Sequence, residues 1–339
     1  MSGIAHRMSP RFIPWRVAEA YSSIHLRAPV TLARNTQISA SGRGPKLLLG
    51  LVFSCIIALL ARRRRSLTRG GAAGTVAVGT AIFGMGGWSW GLSLIYFFVS
   101  STLFSHYRER EKARAAADKF SKGSERDIGQ VAANGGLATL LALAYGLSGS
   151  SSRAKLLQAG FTGALATANA DTWATELGVL SRQDPRLITS GKRVSPGTSG
   201  GITLLGTTAS ALGAFSLGLV FWGLQRFPRS FASLPFVALL SGLAGSFFDS
   251  LLGATVQAMY YCPICGKETE RRIHSCGVKT TPLRGVPWID NDVVNFVATM
   301  FGAIVALSLA FFATRASVQH LEEGDHQGSH PAVPLPPLL

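Results

Sequence analysis

The sequence predicts an all-α fold: a polytopic bundle of about eight transmembrane helices, within a range of seven to nine, with a small zinc-knuckle loop. Hydrophobic residues make up 47% of the 339 residues and charged residues only 15%, which is too apolar for a soluble domain of this length. The apolar residues form long segments, and basic residues cluster between them. The 38 glycines fit this class too, because small residues let membrane helices approach closely.

The formal net charge of +16 indicates membrane topology first and nucleic-acid binding only as a minor alternative. The basic clusters at 62–65, 108–126 and 192–193 all lie in gaps between apolar segments. This is the arrangement of the positive-inside rule, so the expected partner is membrane lipid and not nucleic acid.

The first 45 residues contain six arginines and a single acid, Glu19. This composition is typical of an organellar transit peptide, but a poorly ordered basic arm or an upstream start codon would look the same. The expected location is a bacterial inner membrane, or an organellar envelope if the arm is a transit peptide. Residues 46–315 are the predicted membrane domain, and 316–339, rich in Gly, Pro, His and Glu, are predicted to be disordered.

Taken in order, the first span, 47–61, is short and ends at an arginine run. Residues 70–105 are too long for one span, so we predict two spans joined by a tight turn near residues 84–90, with tryptophans at the interface. The basic segments 62–69 and 106–127 then share one side, the cytoplasmic side. The remaining predicted spans are 132–147, 155–180, 200–225, 231–259 and 293–313.

Unusual polar residues in or at the entry of four later spans, together with the loop 186–201, fall on that cytoplasmic side, which predicts a single site. Asp171 and Glu176 lie about 140° apart on a regular helix, so one metal would have to lie between helices to use both. Asp249 and Asp292 would supply the opposite wall. Carboxylates with asparagine carbonyls suit Mg²⁺. The alternative is structural ion pairing of these acids with Arg186, Lys192 or Arg193.

A glycine-rich segment, 185–201, precedes the span that begins near residue 202. Backbone N–H groups before a helix N-terminus bind anions, and Lys192 and Arg193 would add charge. The segment is not a Walker A loop, because Arg193 follows the Gly-Lys pair. The alternative is a flexible loop whose basic residues only set topology.

Three of the four cysteines cluster in the predicted knuckle loop, residues 260–289. Their spacing and a nearby histidine predict a structural tetrahedral Zn²⁺ site. Its ligands would be Cys262, Cys265, His274 and Cys276. A redox dithiol at Cys262 and Cys265 is the rival. Cys55, alone in an apolar run, is expected to be a buried hydrophobic residue.

Four blocks together resemble one family: residues 170–178, 197–201, 249–254 and 291–295. They resemble the signature blocks of the integral membrane family called domain of unknown function 92, which includes transmembrane protein 19 and the plant phytyl-phosphate kinase. The resemblance covers roughly residues 47–315. The cysteine knuckles resemble a form found in some bacterial members.

The resemblance implies a kinase that transfers a phosphate from CTP or another nucleoside triphosphate to an isoprenyl monophosphate such as phytyl phosphate. The expected Mg²⁺ or nucleotide ligands in catalysis are Asp171, Glu176, Asp249 and Asp292. The residues expected to hold or orient phosphates are Asn134, Asn169, Thr172, Lys192, Arg193, Gly197, Thr198, Ser199, Gly200, Gly201, Asn291 and Asn295. An apolar groove would take the prenyl tail.

Two other classes of function remain open on the sequence. An ion-coupled transporter would place acids near the bilayer midplane with charged groups reachable from both sides, whereas here they crowd one face. A non-catalytic membrane scaffold would satisfy every acid with a fixed partner. No histidine or serine nucleophile is visible, which argues against acyl transfer but not against phosphoryl transfer.

Overall fold

The computed structural model describes residues 43–116, 119, 125–148, 150–228 and 232–327, without the side chains of 43, 151, 152 and 314–327. The N-terminal arm and the end of the tail, about which the sequence makes predictions, lie outside the described residues. The helices are α1 (Arg43–Arg63), α2 (Arg69–Gly86), α3 (Trp88–His106), α4 (Glu109–Ala116), α5 (Ile128–Leu147), α6 (Ser151–Gly178), α7 (Leu204–Leu224), α8 (Leu234–Thr255) and α9 (Asn291–Gln327).

The structure confirms the prediction of a helical membrane protein. Five of the described helices are long and apolar enough to cross a membrane, judged by length and composition: Gly44–Arg63, Ile128–Leu147, Leu204–Leu224, Leu234–Thr255 and Asn291–Ala313. The helices α2, α3 and α6 also have 18 or more residues each. The count of eight spans therefore stays a prediction.

Helix α6 is the central helix and packs against α3, α5, α7, α8 and α9. Its residues 159–170 are all buried in the protein, which is where a polar membrane helix is tolerated. At Gly163 a Cβ atom would lie 2.6 Å from the carbonyl oxygen of Gly302, so α6 and α9 approach too closely for a larger residue. The small residues of this chain are therefore what allows the bundle to close around α6.

Local signals explain where several helices begin. The turn between α2 and α3 is the single residue Gly87, at φ +83°, which confirms the predicted tight turn. Asp127 and Gln130 form a capping box at the start of α5. The Thr203 side chain accepts a hydrogen bond from Gly206 N at the start of α7. The last two caps hold two of the helix starts that lie beside the cavity described below.

Two small sheets lie outside the helical bundle. One is an antiparallel pair, β1 (Arg186–Leu187) with β2 (Gly201–Ile202), within the glycine-rich segment. The other contains β3 (Met259–Cys262), β4 (Lys267–Thr269) and β5 (Thr281–Arg284) in the order β4-β3-β5, all antiparallel. The helix of the predicted span 231–259 is consequently shorter than expected, because α8 ends at Thr255 and the chain enters β3 at Met259.

Two further expectations differ from the structure. Helix α9 continues to Gln327, beyond the predicted start of disorder at residue 316, and half of the residues in 316–327, such as Ala316, Leu321 and Glu322, are good helix formers. Cys55 is exposed and not buried. It lies on α1, a peripheral helix that packs mainly against α2, so much of its surface faces away from the protein.

Candidate functional site

A cavity of about 460 Å³ lies where the ends of α3, α6 and α8 meet the starts of α5, α7 and α9. The glycine-rich segment and the loop after β4 complete its wall. The residues predicted from the sequence that line it are Asn134, Asp171, Thr172, Glu176, Gly197, Thr198, Ser199, Gly200, Gly201, Asp249, Asn291 and Asn295. Residues far apart in the sequence thus form one polar cavity at one end of the bundle.

Four other predicted site residues are not among the residues that line the cavity. Asn169 is fully buried in the bundle, where it accepts a hydrogen bond from Ser100 Oγ and donates one to Gly213 O, so its contacts are structural. Lys192 and Arg193 are exposed on the hairpin between β1 and β2. Asp292 lies against the start of α5, where a Cβ on Gly129 would collide with its carboxylate.

Glu176 already has a cationic partner. Its Oε2 forms an ion pair with Lys112 Nζ, and its Oε1 accepts a hydrogen bond of 2.7 Å from Ser105 Oγ. Lys112 also donates to the carbonyl oxygen of Phe104, at 2.7 Å. Structural ion pairing therefore describes Glu176, although its partner is Lys112 and none of the three basic residues suggested from the sequence.

Asp171 and Asp249 are placed differently. Asp171 Oδ1 accepts a weak hydrogen bond of 3.4 Å from Ser246 Oγ of α8. Asp249 Oδ2 is buried and has no hydrogen-bond partner within the described part of the chain. Burying a carboxylate oxygen without a partner costs free energy, and a bound cation would offset that cost. The pair of acids on α6 and α8 is accordingly the candidate cation site.

The glycine-rich segment is held in a defined conformation. Gly197 and Gly200 have φ values of +76° and +83°, which favour glycine. At Gly200 an added Cβ would lie 2.5 Å from the Cβ of Ala254, so the loop sits directly on α8. Gly201 N donates to Thr198 O at 2.9 Å, which closes a turn just before α7. The wall of the cavity here combines backbone with the start of a helix, a combination that binds anions.

Sequence reasoning missed two cations that line the cavity, Lys112 and Arg126. Burial lowers the pKa of the Arg126 guanidinium to about 10, and the nearby Glu176 carboxylate opposes this shift. The group therefore keeps its charge at neutral pH. It lies over the ring of Phe98, at 5.6 Å from the ring centroid, and donates to Thr102 Oγ1 at 3.4 Å. Both cations belong to the basic run 108–126. The composition of this run predicts the side of the membrane but does not show which of its basic residues line a cavity.

A second, mostly apolar cavity of about 60 Å³ adjoins the first. Side chains of α1, α2, α3 and α5 line it, including Ile57 and Leu94. Arg126, Gln130 and Asn134 line both cavities. A cation therefore lies where a polar cavity meets an apolar one between helices.

Comparison with known proteins agrees with this membrane architecture. Residues 52–303 match the family described as integral membrane protein DUF92. The chain belongs to this family. It is 34% identical over 274 residues to Protein PGR of Arabidopsis thaliana, covering 75% of this chain and 93% of that protein. It is 28% identical over 264 residues to an uncharacterized membrane protein of Methanocaldococcus jannaschii, covering 77% and 93%.

A further relative of this DUF92 protein is Protein VTE6, chloroplastic, of Arabidopsis thaliana. The identity is 27% over 249 residues, which covers 73% of this chain and 66% of that protein. No solved structure matches the chain.

Proposed function

We propose that this DUF92 protein is a Mg²⁺-dependent kinase that transfers a phosphoryl group from CTP or another nucleoside triphosphate to an isoprenyl monophosphate at the cytoplasmic face. The observation that carries the proposal is the carboxylate pair Asp171 and Asp249, with Asp249 Oδ2 buried and unpaired among the described residues, in a cavity that is also lined by the glycine-rich segment and by cations. The resemblance to a family that includes the plant phytyl-phosphate kinase supports the choice of substrate.

The donor set fits Mg²⁺, which prefers one or two carboxylates and shares its other positions with water and phosphate oxygens. Asp171 and Asp249 would hold the ion, and the amide oxygens of Asn291 and Asn295 line the same cavity. When bound, Mg²⁺ would neutralise negative charge on the phosphate oxygens of the nucleotide.

The nucleotide phosphates would lie against the backbone of residues 197–201. The N-terminus of α7 would present partial positive charge to these phosphates, whereas the amides of Thr198 and Gly201 already donate to Ser195 O and Thr198 O within the loop. Thr198 Oγ1, which accepts a hydrogen bond of 2.9 Å from Lys119 Nζ, brings another cation to the same loop. These groups position and neutralise phosphate, which is most of what phosphoryl transfer requires.

The acceptor phosphate would bind Arg126, with its prenyl tail in or along the apolar cavity between α1, α2, α3 and α5. A monophosphate is ionised near neutral pH, so its oxygen attacks without a general base. A bond forms between this oxygen and the γ-phosphorus, the bond from that phosphorus to the β–γ bridging oxygen breaks, and the nucleoside diphosphate leaves with the electron pair.

Reconstituted protein tests the proposal directly. Purified chain in lipid bilayers is given Mg²⁺, labelled CTP or ATP, and phytyl, geranylgeranyl or farnesyl monophosphate, and the isoprenyl diphosphate is measured. We expect the natural protein to make product. The rate should fall about a hundredfold or more in Asp171→Asn and Asp249→Asn, and Asp184→Asn should keep the natural rate. Asp184 is an exposed acid outside the cavity, so it is the matched control. Failure to bind any nucleotide, or equal activity of all variants, would overturn the proposal.

A further inference from the structure

Four candidate metal ligands meet in the loop between α8 and α9. One ligand atom from each of Cys262, Cys265, His274 and Cys276 can be chosen so that all lie within 4.8 Å of one another. Cys262 Sγ and Cys276 Sγ are 3.7 Å apart. Tetrahedral zinc with Zn–S bonds of about 2.3 Å separates two sulfurs by about 3.8 Å, and a disulfide would require about 2.05 Å. The separation thus suits a shared ion better than a bond between these two sulfurs.

The backbone around these residues forms two similar tight turns. Gly266, at φ +63°, donates from its N–H to the carbonyl oxygen of Cys262 at 2.9 Å. Gly277, at φ +84°, donates in the same way to His274 at 2.8 Å. The His274 side chain is only 3% exposed, and its Nδ1 lies 3.2 Å from Cys276 Sγ. The two turns therefore direct their side chains to a common point.

We propose that Cys262, Cys265, His274 and Cys276 bind one zinc ion, and that the zinc-bound loop holds the glycine-rich segment of the cavity in its binding conformation through Arg284 and Gln257. The role of that segment in holding phosphate rests on the proposed function, whereas the metal site and its mechanical connection to the loop do not.

The first connection runs through β5. Its last residue, Arg284, pairs with Glu268 of β4 at 3.1 Å, so its guanidinium is fixed by the sheet that carries Cys262. Arg284 donates to Gly253 O at 2.7 Å and to Ser199 O at 3.4 Å. One arginine thus joins the sheet to both α8 and the centre of the glycine-rich segment.

The second connection runs through the end of β4. Gln257 Oε1 accepts a hydrogen bond of 2.7 Å from Ser199 Oγ, and Gln257 Nε2 donates to Glu270 Oε1 at 2.9 Å. The backbone of Glu270 donates to Lys119 O at 2.9 Å, and Lys119 Nζ donates to Thr198 Oγ1. Ser199 is therefore held from two directions by residues whose positions depend on the small sheet.

The sheet needs the metal because it is too small to be stable alone. It contains three short strands with few buried side chains, and such elements are marginal in water without a metal or disulfide. Loss of zinc would release Arg284 and Glu270 together, and the glycine-rich segment would lose both connections.

Metal analysis tests the site without any assay of activity. We expect the purified full chain to contain one zinc ion. Cys276→Ser should lose it, and Cys55→Ser should retain it because Cys55 lies on α1, away from the loop. If Cys276→Ser fails to fold, zinc can instead be removed from the natural protein with a chelator and then added back, and the zinc content is measured at each stage. Less than about half an equivalent of zinc, before and after refilling, would overturn the metal site.

Amide hydrogen exchange tests the connection to the loop. Zinc removal should speed exchange in the peptide containing Ile188 and Gly201 by about tenfold or more, since their N–H groups are hydrogen-bonded only while the loop is ordered. Arg284→Gln should speed amide exchange in this peptide although the protein retains zinc. The control is Arg272→Gln, which changes an exposed arginine of the same loop and should leave exchange unchanged.

The outcomes separate this inference from the proposed function. If the purified protein contains one zinc ion but its removal leaves amide exchange in the glycine-rich segment unchanged, the connection to that segment is overturned and the metal site is upheld. Zinc-dependent exchange in a protein that makes no isoprenyl diphosphate would uphold the inference and overturn the kinase. If Cys262 and Cys265 are instead a redox dithiol, the purified protein should contain no zinc and its amide exchange should respond to a thiol reductant. That result would overturn the zinc site.

Discussion

At the residue scale, the acids of the cavity differ in their partners although they are alike in the sequence. Glu176 faces α3 and α4, where Ser105 and Lys112 contact it. Asp171 faces α8, where Ser246 contacts it. The separation of about 140° expected for residues five apart thus directs the two acids to different neighbours. One acid stabilises the wall of the cavity, and the other is available to a ligand.

The Glu176 assignment predicts an effect on stability. Glu176→Gln leaves Lys112, whose side chain is 10% exposed, without its carboxylate, and should reduce the free energy of unfolding by about 2 kcal/mol. Thermal unfolding in a fixed detergent measures it. Glu111→Gln is the control, because its ion pair with Arg108 is exposed and contributes little. Equal midpoints for both variants would contradict the assignment.

Arg126 carries the second prediction at this scale. Arg126→Gln removes the charge between the two cavities, so the KM for the isoprenyl monophosphate should rise about tenfold or more, while the KM for the nucleotide changes little. Steady-state kinetics with each substrate varied separately measures both. The control is Arg114→Gln, an exposed residue of the same basic run. A selective rise in the nucleotide KM would place Arg126 on the other substrate.

At the scale of elements, the bundle depends on close contact between α6 and its neighbours. Gly163→Ala would place a Cβ 2.6 Å from Gly302 O, so α6 and α9 would have to separate, at a cost of about 2 kcal/mol. Gly136→Ala is the matched control in α5, where the nearest atom, of Phe296, is 3.9 Å away. We expect a lower thermal midpoint only for the first variant. Two unchanged midpoints would show that the helix contact adapts.

The apolar cavity between helices gives a prediction about substrate length. Ile57→Trp narrows it from α1 and should reduce kcat/KM about tenfold for phytyl or geranylgeranyl monophosphate. Isopentenyl monophosphate should be affected less, because it needs less of the cavity. The neighbouring Ile56 is 50% exposed, so Ile56→Trp is the matched control. Equal losses for short and long substrates would place the tail elsewhere.

At the scale of the whole molecule, we expect α6 to cross the membrane, although it is not among the five described helices that length and composition mark as candidate spans. Its start at Ser151 and its end at Gly178 then lie on opposite sides. The burial of 159–170 explains how this helix avoids lipid contact while carrying Asp171 near the end that lines the cavity.

Cysteine labelling tests this orientation. Ser150→Cys and Gln183→Cys flank α6, and a membrane-impermeant thiol reagent should label the first from outside intact cells and the second only in inverted vesicles. Both cysteines are introduced into the Cys55→Ser variant. Labelling of Cys55→Ser alone measures how much reagent the cysteines of the knuckle loop take up. Labelling of both positions from one side would show that α6 does not span.

The helices and the convergence of polar residues were largely predictable. Apolar segments separated by arginines and lysines give the approximate spans, and the side on which Asp171, Asp249 and Asn134 lie follows from counting those spans. The cysteine spacing likewise predicted a cluster of four ligands, which the fold brings together. The predicted phosphate-binding cations were less successful, since Lys192 and Arg193 are exposed and Lys112 and Arg126 line the cavity.

The sequence by itself determined the membrane class and the end of the bundle at which the polar residues meet, because hydropathy and charge depend only on the order of residues along the chain. Tertiary structure alone decided which acid is paired, which cations reach the cavity and how the knuckle loop contacts Ser199. The physical reason is that membrane helices are apolar on nearly every face, so their rotation and partners are set by small-residue contacts such as Gly163 with Gly302.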